Sequence, residues 1–319
     1  SCYKNGYNLF TSKTKIQSLK LKILGSQGAL PRRRMYSSSQ ILNIKNKYFL
    51  IDCPEGIQFQ LKNYRIKFSK IDFILISHAH GDHYFGLIGL ISTYSLLRRK
   101  KKLKVYCPRV VSEIINTQMK ISSMFLSYDL EIIELNSNNS EKIYESSGFS
   151  VYTIPLKHSI YCNGFLFQEK NNKRKLNLDL VLKLNINKVY YNKLTKGENV
   201  LNEIGEEINY REVTFKGLKN KSYAYCSDTI YYPTIIDIIS QVDLLYHEST
   251  FLEKDREKAK LTKHSTAMDA AMIARDAQVN KLIIGHFSSR YKNLDLFVNE
   301  AKQIFQNVEL AFDGKDIEI

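Results

Sequence analysis

Four residues that can bind metal ions fall within six positions of this sequence, in the run Ser77–His83 (SHAHGDH). The run follows an apolar stretch with the pattern of a buried strand, IDFILI, and precedes a helical pattern. His78 and His80 are two residues apart in extended chain and point to one side, whereas Asp82 and His83 begin the next turn and can face a second ion. Imidazole and carboxylate donors without thiolate suit zinc, although iron and manganese accept the same ligands. The run therefore predicts a site for two metal ions.

The remaining residues with ligand chemistry lie where strands or turns are expected to end. They are His158, Asp228, His247, His264 and His286. Each histidine taken singly is typical of a hydrogen-bonded structural residue. However, Asp228 ends the run SYAYCSD and His286 ends KLIIGH, and open α/β sheets place their sites at the carboxyl ends of strands. We therefore expect several of these residues to join the histidine run.

The elements that must position these residues alternate between strands and helices. Apolar β-rich runs predict strands at Leu19–Leu24, Tyr48–Asp52, Ile71–Ser77, Val105–Cys107, Phe149–Ile154, Tyr223–Ser227, Leu244–His247 and Lys281–Gly285. Helical patterns follow Gly56, His83, Arg109, Pro233 and Leu294. The clearest helix is Thr266–Ala277, where alanines recur at spacings of three and four and Ser265 is the expected cap. This alternation predicts a layered α/β fold.

Two stretches differ from the rest of the chain. Residues 168–211 mix basic side chains with Asn and Tyr around one short apolar segment, LDLVLKL, which predicts an inserted arm or a solvated surface loop. Residues 1–18 lack the apolar core of a secretory signal, and we interpret them as an N-terminal tail outside the fold. The remaining residues, 19–319, are expected to form one domain that carries the arm.

Composition narrows the class of protein further. The 319 residues include 44% hydrophobic and 25% charged side chains with 5 prolines and 14 glycines, which excludes collagen-like and wholly disordered chains. The 47 Lys and Arg against 32 Asp and Glu give a net charge of +15, which favours a polyanionic partner or simply reflects a lysine-rich composition.

The apolar and cysteine patterns bear on location. The most apolar stretch, Tyr84–Leu97, is shorter than the roughly 20 residues that span a bilayer, so we expect no membrane partner. Five scattered cysteines without a CxxC pair predict neither a disulfide framework nor a thiolate zinc site, and they favour a reducing, cytoplasmic compartment.

Four longer motifs follow the histidine run. They are YCSDT (Tyr225–Thr229), YHEST (Tyr246–Thr250), KHSTAMDAA (Lys263–Ala271) and IIGHFSSRY (Ile283–Tyr291). Together with the HxHxDH box, they resemble the ribonuclease Z family of the metallo-β-lactamase superfamily, in the family's order and over nearly the whole chain after Leu19. The resemblance implies an αββα sandwich with an inserted exosite arm, which forms a homodimer. It also implies removal of the 3′ trailer from precursor tRNA, leaving a 3′-hydroxyl tRNA and a 5′-phosphate trailer.

The resemblance further implies two Zn²⁺ ions per chain, each with three ligands, and one bridging carboxylate. The ligands of the first ion would be His78, His80 and His158. The ligands of the second ion would be Asp82, His83 and His286. The bridging carboxylate would be Asp228.

The family's acid–base residues map onto Asp82, Glu248 and His264. Zinc lowers the pKa of bound water to about 7, which makes a nucleophile available at neutral pH. Asp82 would accept the proton of that water, and Glu248 would orient His264 so that its imidazole protonates the leaving oxygen. His247 has no catalytic role in this assignment and is interpreted as structural.

The resemblance also implies that the arm clamps the tRNA elbow, far from the cut. The candidate RNA contacts are Lys188, Tyr190, Lys193 and Lys196 on the arm, Arg32, Arg33 and Arg34 in an early loop, and Arg290 near the last motif. Two departures from the family pattern stand out: the arm lacks a Gly-Pro pair, and Pro54 replaces a glycine. Because proline fixes φ and removes a donor, we expect a local effect at Pro54.

Two other functions are compatible with part of this pattern. The HxHxDH box and Asp228 alone are also typical of binuclear hydrolases that act on a small ester, lactone or cyclic nucleotide. A zinc-containing RNA-binding protein that has lost turnover would keep the same fold. The HEST and HST boxes, the basic arm and the net charge of +15 favour a large RNA substrate over a small molecule. The presence of all seven ligand positions and of Glu248 and His264 favours a nuclease over a protein without turnover.

Overall fold

Two mixed sheets account for most strands of the computed structural model, which describes residues 19–30, 35–170, 173–217 and 219–319. The strands of the first sheet are β1 (Lys20–Gly25), β2 (Ser39–Ile44), β3 (Lys47–Ile51), β4 (Ile71–Leu75), β5 (Leu103–Pro108), β6 (Leu130–Leu135) and β18 (Asp316–Glu318). They lie in the order β18-β1-β2-β3-β4-β5-β6. The strands from β3 to β6 are parallel and the others pair antiparallel, so this sheet has one parallel half.

The second sheet has a similar division. Its strands are β7 (Lys142–Glu145), β8 (Phe149–Pro155), β9 (Asn163–Glu169), β14 (Ser222–Cys226), β15 (Leu244–Glu248), β16 (Lys281–Gly285) and β17 (Val308–Leu310). They lie in the order β17-β16-β15-β14-β9-β8-β7, with β14 to β17 parallel. The parallel halves bring several carboxyl strand ends to one edge of each sheet.

Helices cover the outer face of each sheet. The helices that follow the strands of the first sheet are α1 (Ile57–Asn63), α2 (Gly81–Tyr84), α3 (Leu87–Leu96) and α4 (Arg109–Ile121). Those that pack on the second sheet are α8 (Arg256–Thr262), α9 (Ala267–Asp276) and α10 (Asp295–Ala301). Among the described residues, no helix is long and apolar enough to cross a membrane.

The inner faces of the two sheets meet in an aromatic layer. Phe49 of β3 stacks on Phe73 of β4 with ring centroids 4.4 Å apart, and it meets the edge of Phe167 from β9 at 5.2 Å. Tyr225 and Tyr246 stack at 5.1 Å in the same layer. Period-two alternation supplies this layer from both sheets while the opposite faces pack against helices. The architecture is therefore an αββα sandwich, and the predicted layered fold is confirmed.

Each of the eight predicted strand runs contains a strand, but two local predictions are wrong. Pro233 begins only a 3-10 turn, Pro233–Ile235, rather than a helix. Thr266, and not Ser265, caps α9: its hydroxyl accepts the Asp269 N–H at 3.2 Å while the Asp269 carboxylate accepts the Thr266 N–H at 2.9 Å. Ser265 instead donates its hydroxyl to the carbonyl of Thr229 at 2.7 Å.

The segment between β9 and β14 is folded, and its described residues, 173–217, are called the arm below. Its elements are β10 (Lys175–Leu176), α5 (Leu178–Lys183), α6 (Tyr191–Lys196), β11 (Val200–Leu201), β12 (Glu207–Ile208), α7 (Tyr210–Val213) and β13 (Thr214–Phe215). They pack around a small core of their own, formed by Val181, Ile186, Leu194, Val200, Ile208 and Val213. The window expected from the sequence, residues 168–211, begins inside β9 and ends inside α7.

The arm leaves and rejoins the second sheet through a narrow neck. The Glu169 N–H donates to the carbonyl of Lys221 at 2.8 Å, and the Glu169 side chain accepts the Lys221 N–H at 3.1 Å. The chain segments that lead into and out of the arm are therefore hydrogen-bonded to each other. At the opposite end of β9, the Asn163 N–H donates to the carbonyl of Ser77 at 3.1 Å, so one strand joins the neck to the histidine run.

Candidate active site

The predicted ligand residues gather beyond the carboxyl ends of strands from both sheets. The histidine run follows β4, His158 follows β8, Asp228 follows β14, and His286 directly follows β16. Because parallel strands end at a common edge, residues that are far apart in sequence meet there. Four of them, His80, Asp82, Asp228 and His286, line a cleft of about 460 Å³ together with His264.

The first group of ligands consists of His78, His80, His158 and Asp228, whose donor atoms lie within 4.8 Å of one another. His80 Nδ1 lies 3.1 Å from His78 Nε2 and 3.2 Å from His158 Nε2. Asp228 Oδ2 lies 3.4 Å from His78 Nε2 and 3.9 Å from His158 Nε2. His158 donates its Nδ1 proton to the carbonyl of Lys263 at 2.8 Å, which leaves the Nε2 lone pair directed at the group.

The state of His78 suits metal binding. Its side chain is fully buried, and burial together with the nearby His83 lowers its pKa to about 4, although Asp228 acts in the opposite direction. The ring is therefore neutral at physiological pH. A neutral imidazole is the form that binds a metal ion.

The second group consists of Asp82, His83 and His286, again within 4.8 Å. Asp228 Oδ1 lies 3.3 Å from His286 Nε2 and 3.6 Å from His83 Nε2, so the two oxygens of Asp228 face different groups. Asp82 Oδ2 lies 3.4 Å from His83 Nε2. Among the described residues, His83 Nε2, His286 Nε2 and Asp228 Oδ1 are buried and have no hydrogen-bond partner. Buried polar atoms without partners are costly, and three that converge fit a bound cation.

Asp52 supports the second group, and it was not identified from the sequence. Its carboxylate accepts the His83 Nδ1 proton at 2.8 Å, the Ser77 N–H at 2.8 Å and the Tyr225 hydroxyl at 2.7 Å. The hydrogen bond from His83 Nδ1 to Asp52 fixes the tautomer that leaves His83 Nε2 unprotonated. Asp52 directly follows β3, the neighbour of the strand that carries the histidine run, and this position was the available signal.

Glu248 and His264 form a buried ion pair beside the second group. His264 Nδ1 lies 2.8 Å from Glu248 Oε1, and the same oxygen accepts the N–H groups of Thr229 and Ser265 at 3.1 Å each. Burial alone would lower the pKa of His264, but the negative charge of Glu248 outweighs it and raises the pKa to about 9. The ring lies 5.3 Å from that of His286, so a protonated imidazole sits at the metal-ligand cluster.

Thr250, also missed from the sequence, connects this pair to His286, a candidate metal ligand. Its hydroxyl lies 2.8 Å from Glu248 Oε2 and 2.8 Å from His286 Nδ1. A carboxylate only accepts, so the single hydroxyl proton goes to Glu248 and the oxygen accepts the proton on His286 Nδ1. His286 Nε2 then keeps its lone pair toward the ligand group. The signal in the sequence was the last residue of the YHEST motif.

Among the described residues, the remaining candidates from the sequence lie outside the cluster of candidate ligands. His247 is buried within β15 and does not join the cluster; its Nδ1 lies 2.7 Å from the carbonyl of Glu248. Arg290 is exposed at the rim, with its guanidinium 5.0 Å from the ring centre of Phe251, which lines the cleft. The arm candidates Lys188, Tyr190, Lys193 and Lys196 lie outside this cleft, whereas Arg32, Arg33 and Arg34 fall outside the described residues.

Comparisons with known proteins agree with this arrangement. The chain is 40% identical to ribonuclease Z of Bacteroides thetaiotaomicron over 304 residues, which cover 95% of this chain and 96% of that protein. It is 44% identical to ribonuclease Z of Cytophaga hutchinsonii over 295 residues, or 92% of this chain and 94% of that protein. The chain belongs to the ribonuclease Z family. This family consists of endoribonucleases that process the 3′ end of tRNA, so the chain is a phosphodiester hydrolase and the predicted enzyme class is confirmed.

Two further matches concern the fold and residues 19–204 of the chain. The crystal structure of the short form of human tRNase Z superposes with a TM-score of 0.67 at 24% identity, covering 94% of this chain and 99% of that one. This likeness confirms the metallo-β-lactamase fold. Residues 19–204 also match the family model described as anti-Pycsar protein Apyc1. That match includes the histidine run and His158 but ends before Asp228, so the ribonuclease Z relatives are the ones that cover the whole site.

Proposed function

We propose that the two ligand groups hold two Zn²⁺ ions per chain and that the site removes the 3′ trailer from precursor tRNA. The observation that carries the proposal is Asp228, which presents one oxygen to each group while buried nitrogens without partners converge on it. Nitrogen and oxygen ligands without thiolate suit zinc. Two such ions would supply Lewis acidity toward the phosphate and a water acidic enough to attack near neutral pH.

Asp82 suits the role of proton acceptor. Burial favours its neutral form, but the neighbouring His83 and His286 outweigh that effect and hold the pKa of Asp82 well below its usual range. The side chain is therefore a carboxylate at neutral pH, in reach of the centre between the ligand groups. It can take the proton that the attacking water releases.

His264 suits the role of general acid, with Glu248 as its positioning partner. A pKa near 9 keeps His264 protonated at neutral pH, and Glu248 fixes the ring through the Nδ1 proton. The proton would pass to the leaving O3′ atom, which yields a tRNA with a 3′-hydroxyl and a trailer with a 5′-phosphate. Because Glu248 accepts five hydrogen bonds without solvent contact, its orientation is fixed before substrate arrives.

The arm would bind the body of the tRNA as an insertion in one metallo-β-lactamase domain of residues 19–319. Residues 1–18, interpreted from the sequence as a tail, lie outside the described residues. Lys188 and Lys193 are exposed on the arm, and Lys193 Nζ lies 6.0 Å from the ring centre of Tyr190. Cations beside an aromatic ring suit phosphate contact and base stacking. Arg290 at the rim of the cleft would contact the RNA near the cut.

A homodimer in the cytoplasm completes the proposal. The groove between α2 and α4 has a volume of about 710 Å³, and three of its apolar side chains, Phe85, Val110 and Ile121, are more than half exposed. An exposed apolar patch of this kind suits association with a second copy. The buried free thiols of Cys53, Cys107, Cys162 and Cys226 are compatible with a reducing compartment.

The direct test uses purified, metal-quantified protein and a 3′-extended precursor tRNA, with product ends mapped beside a His264→Ala control. We expect about two zinc ions per chain, a single cut that releases a 5′-phosphate trailer, and a strongly slowed control. Absence of cutting by a folded protein with both ions bound would overturn the proposal and favour a small ester, lactone or cyclic nucleotide as substrate.

A further inference from the structure

A second cleft, called the neck cleft here, lies where the arm meets the sandwich. Its volume is about 780 Å³, and its lining comes from two parts of the chain. The part from the sandwich is Lys45, Ser147, Gly148 and Lys170. The part from the arm is Lys173, Arg174, Thr195 and Lys196. Five of these eight residues are cations, and no residue of the catalytic cleft is among them.

The cations of the neck cleft differ in how they are neutralised. Lys45 pairs with Glu169 at 3.1 Å, and Lys170 pairs with Glu145. Among the described residues, Lys173, Arg174 and Lys196 form no ion pair with a carboxylate. The arm side of the cleft therefore carries three positive charges that no carboxylate offsets.

Not every basic stretch has this pattern. In the basic run Arg98–Lys102 near the end of α3, two of the three lysines face carboxylates: Lys101 pairs with Asp72, and Lys102 lies 2.8 Å from Glu131. A lysine-rich composition alone predicts charges that find acidic neighbours or spread over the surface. The neck cleft instead concentrates uncompensated cations in a concave site, which raises the local positive potential.

The guanidinium of Arg174 is held in place before any ligand binds. Its Nε donates to the Thr214 hydroxyl at 2.6 Å, and its plane lies over the ring of Tyr210 at 4.9 Å. Lys173 Nζ donates to Asn192 Oδ1 at 2.8 Å. A charged fork fixed in this way loses less conformational freedom on binding an anion than a mobile side chain does.

The position of the neck cleft relates it to the catalytic cleft. Lys170 directly follows β9, whose other end, Asn163, is hydrogen-bonded to Ser77 beside the first metal ligand. Seven residues of strand span roughly 20 Å at about 3.3 Å per residue. A ligand that occupies both clefts must therefore be extended, and the cations of the neck cleft favour one that is negatively charged.

We propose that the neck cleft binds the sugar–phosphate backbone of the precursor tRNA stem, between the arm and the cut end. This inference rests on the proposed function, because it takes the substrate from it. The contact is to phosphates, so it adds affinity and register without reading sequence.

The test is neutralisation of two neck-cleft residues, Lys173→Gln with Arg174→Gln. The matched control is Lys62→Gln with Lys100→Gln, which removes the same charge from two exposed lysines that form no ion pair among the described residues. Binding of mature tRNA is measured by fluorescence anisotropy between 50 and 200 mM salt, and precursor cleavage is measured under single-turnover and saturating conditions.

We expect the neck-cleft variant to weaken tRNA binding about tenfold at low salt and to reduce the slope of log K against log salt by about two, since two phosphate contacts are lost. KM for precursor tRNA rises while kcat stays the same. The control keeps the wild-type slope. Because Arg174 also supports the arm, Lys173→Gln alone, on an exposed side chain, should reduce the slope by about one.

The possible failures are distinguishable. If the wild-type chain does not cleave precursor tRNA, the proposed function fails, whatever the variants do. If the wild type cleaves but both neck-cleft variants match the wild type, or lose no more affinity than the control, the neck cleft is not an RNA site. If the double variant does not melt cooperatively, its tRNA affinity does not test the neck cleft. The result with Lys173→Gln alone then decides the proposal.

Discussion

The catalytic cleft draws its residues from strand ends that are far apart in sequence, whereas the arm is one contiguous segment around its own small core. His78 and His83 are fully buried, and Lys188 and Lys193 are exposed. The difference matches the roles proposed for the two regions. Bond cleavage needs donor atoms fixed by buried hydrogen bonds, but attraction of a phosphate backbone tolerates mobile charges on a surface. Changes in the two regions should therefore alter different kinetic constants.

The largest difference between the loss of cleavage and the loss of tRNA binding is expected for Asp228→Asn. This change keeps the shape of the side chain and removes the charge shared by both ligand groups. We expect kcat/KM for precursor tRNA to fall by at least ~10⁴-fold, because both ion sites lose their common carboxylate. Metal analysis should show fewer than two ions per chain, and tRNA binding should change only a few-fold. Full metal content with normal cleavage would refute the bridging role.

Asp82→Ala tests the proton acceptor within the same region. We expect cleavage to be lost while tRNA affinity stays within a few-fold of wild type, because the side chain contacts ligand histidines and not the arm. Single-turnover cleavage and filter binding measure the two effects. A severe loss of binding would argue against a purely catalytic role.

His264→Ala should have the next largest effect. Removal of the general acid should slow precursor cleavage by ~10²–10³-fold. A diester with a nitrophenyl leaving group needs no proton at that step, so its hydrolysis should change far less. Equal losses with both substrates would show that His264 acts on the metal ligands and not on the leaving oxygen.

Deletion of the arm should have the opposite effect: tRNA binding should be lost while the phosphodiester chemistry persists. Replacing residues 173–217 by a short turn is feasible because Glu169 and Lys221 are hydrogen-bonded neighbours at the neck. We expect kcat/KM for precursor tRNA to fall about 100-fold, mainly through KM, as multiple phosphate contacts are lost. Hydrolysis of a small diester should persist. Unchanged tRNA cleavage would show that the arm does not hold the substrate.

The smallest expected effect comes from Thr250→Val, which removes one hydroxyl and keeps the shape. Without it, His286 loses the acceptor that fixes its tautomer, and zinc affinity should fall about tenfold, as for other contacts that orient ligand histidines. Thr250→Ser should restore most of that affinity. Competition with a chromophoric chelator measures it independently of cleavage. Equal affinity of the Val and Ser variants would contradict the role assigned to the hydroxyl.

Sequence patterns predicted the interior strands of the two sheets better than the edge strands. All eight predicted runs lie in the sheet interiors, whereas β6, β7, β17 and β18 lie at sheet edges and were missed. The interior strands β2 and β9 were also missed, because polar residues interrupt their apolar runs. Edge strands keep one side exposed, so their composition resembles that of loops. The predicted helix after Pro233 is wrong for a different reason: the chain there forms a 3-10 turn followed by consecutive turns, which bury Ile235 and Ile239 without a regular helix.

The same limit applies to the site. The seven ligand candidates, Glu248 and His264 carry their own chemical signature, and the structure brings all nine together, while their individual roles remain proposals. Asp52 and Thr250 have ordinary side chains, and their importance comes from contacts with His83 and His286, which lie 31 and 36 positions away. Only the fold reveals such contacts.

The hydrogen-bonded neck also has an evolutionary consequence. Because the arm leaves and rejoins the second sheet at adjacent residues, insertions, deletions or replacement of the whole segment disturb neither β9 nor β14. Natural variation can therefore lengthen, shorten or recharge the arm while the ligand cluster stays under separate selection. Changes in the arm could in this way alter which RNAs are bound while the residues of the catalytic cleft stay the same.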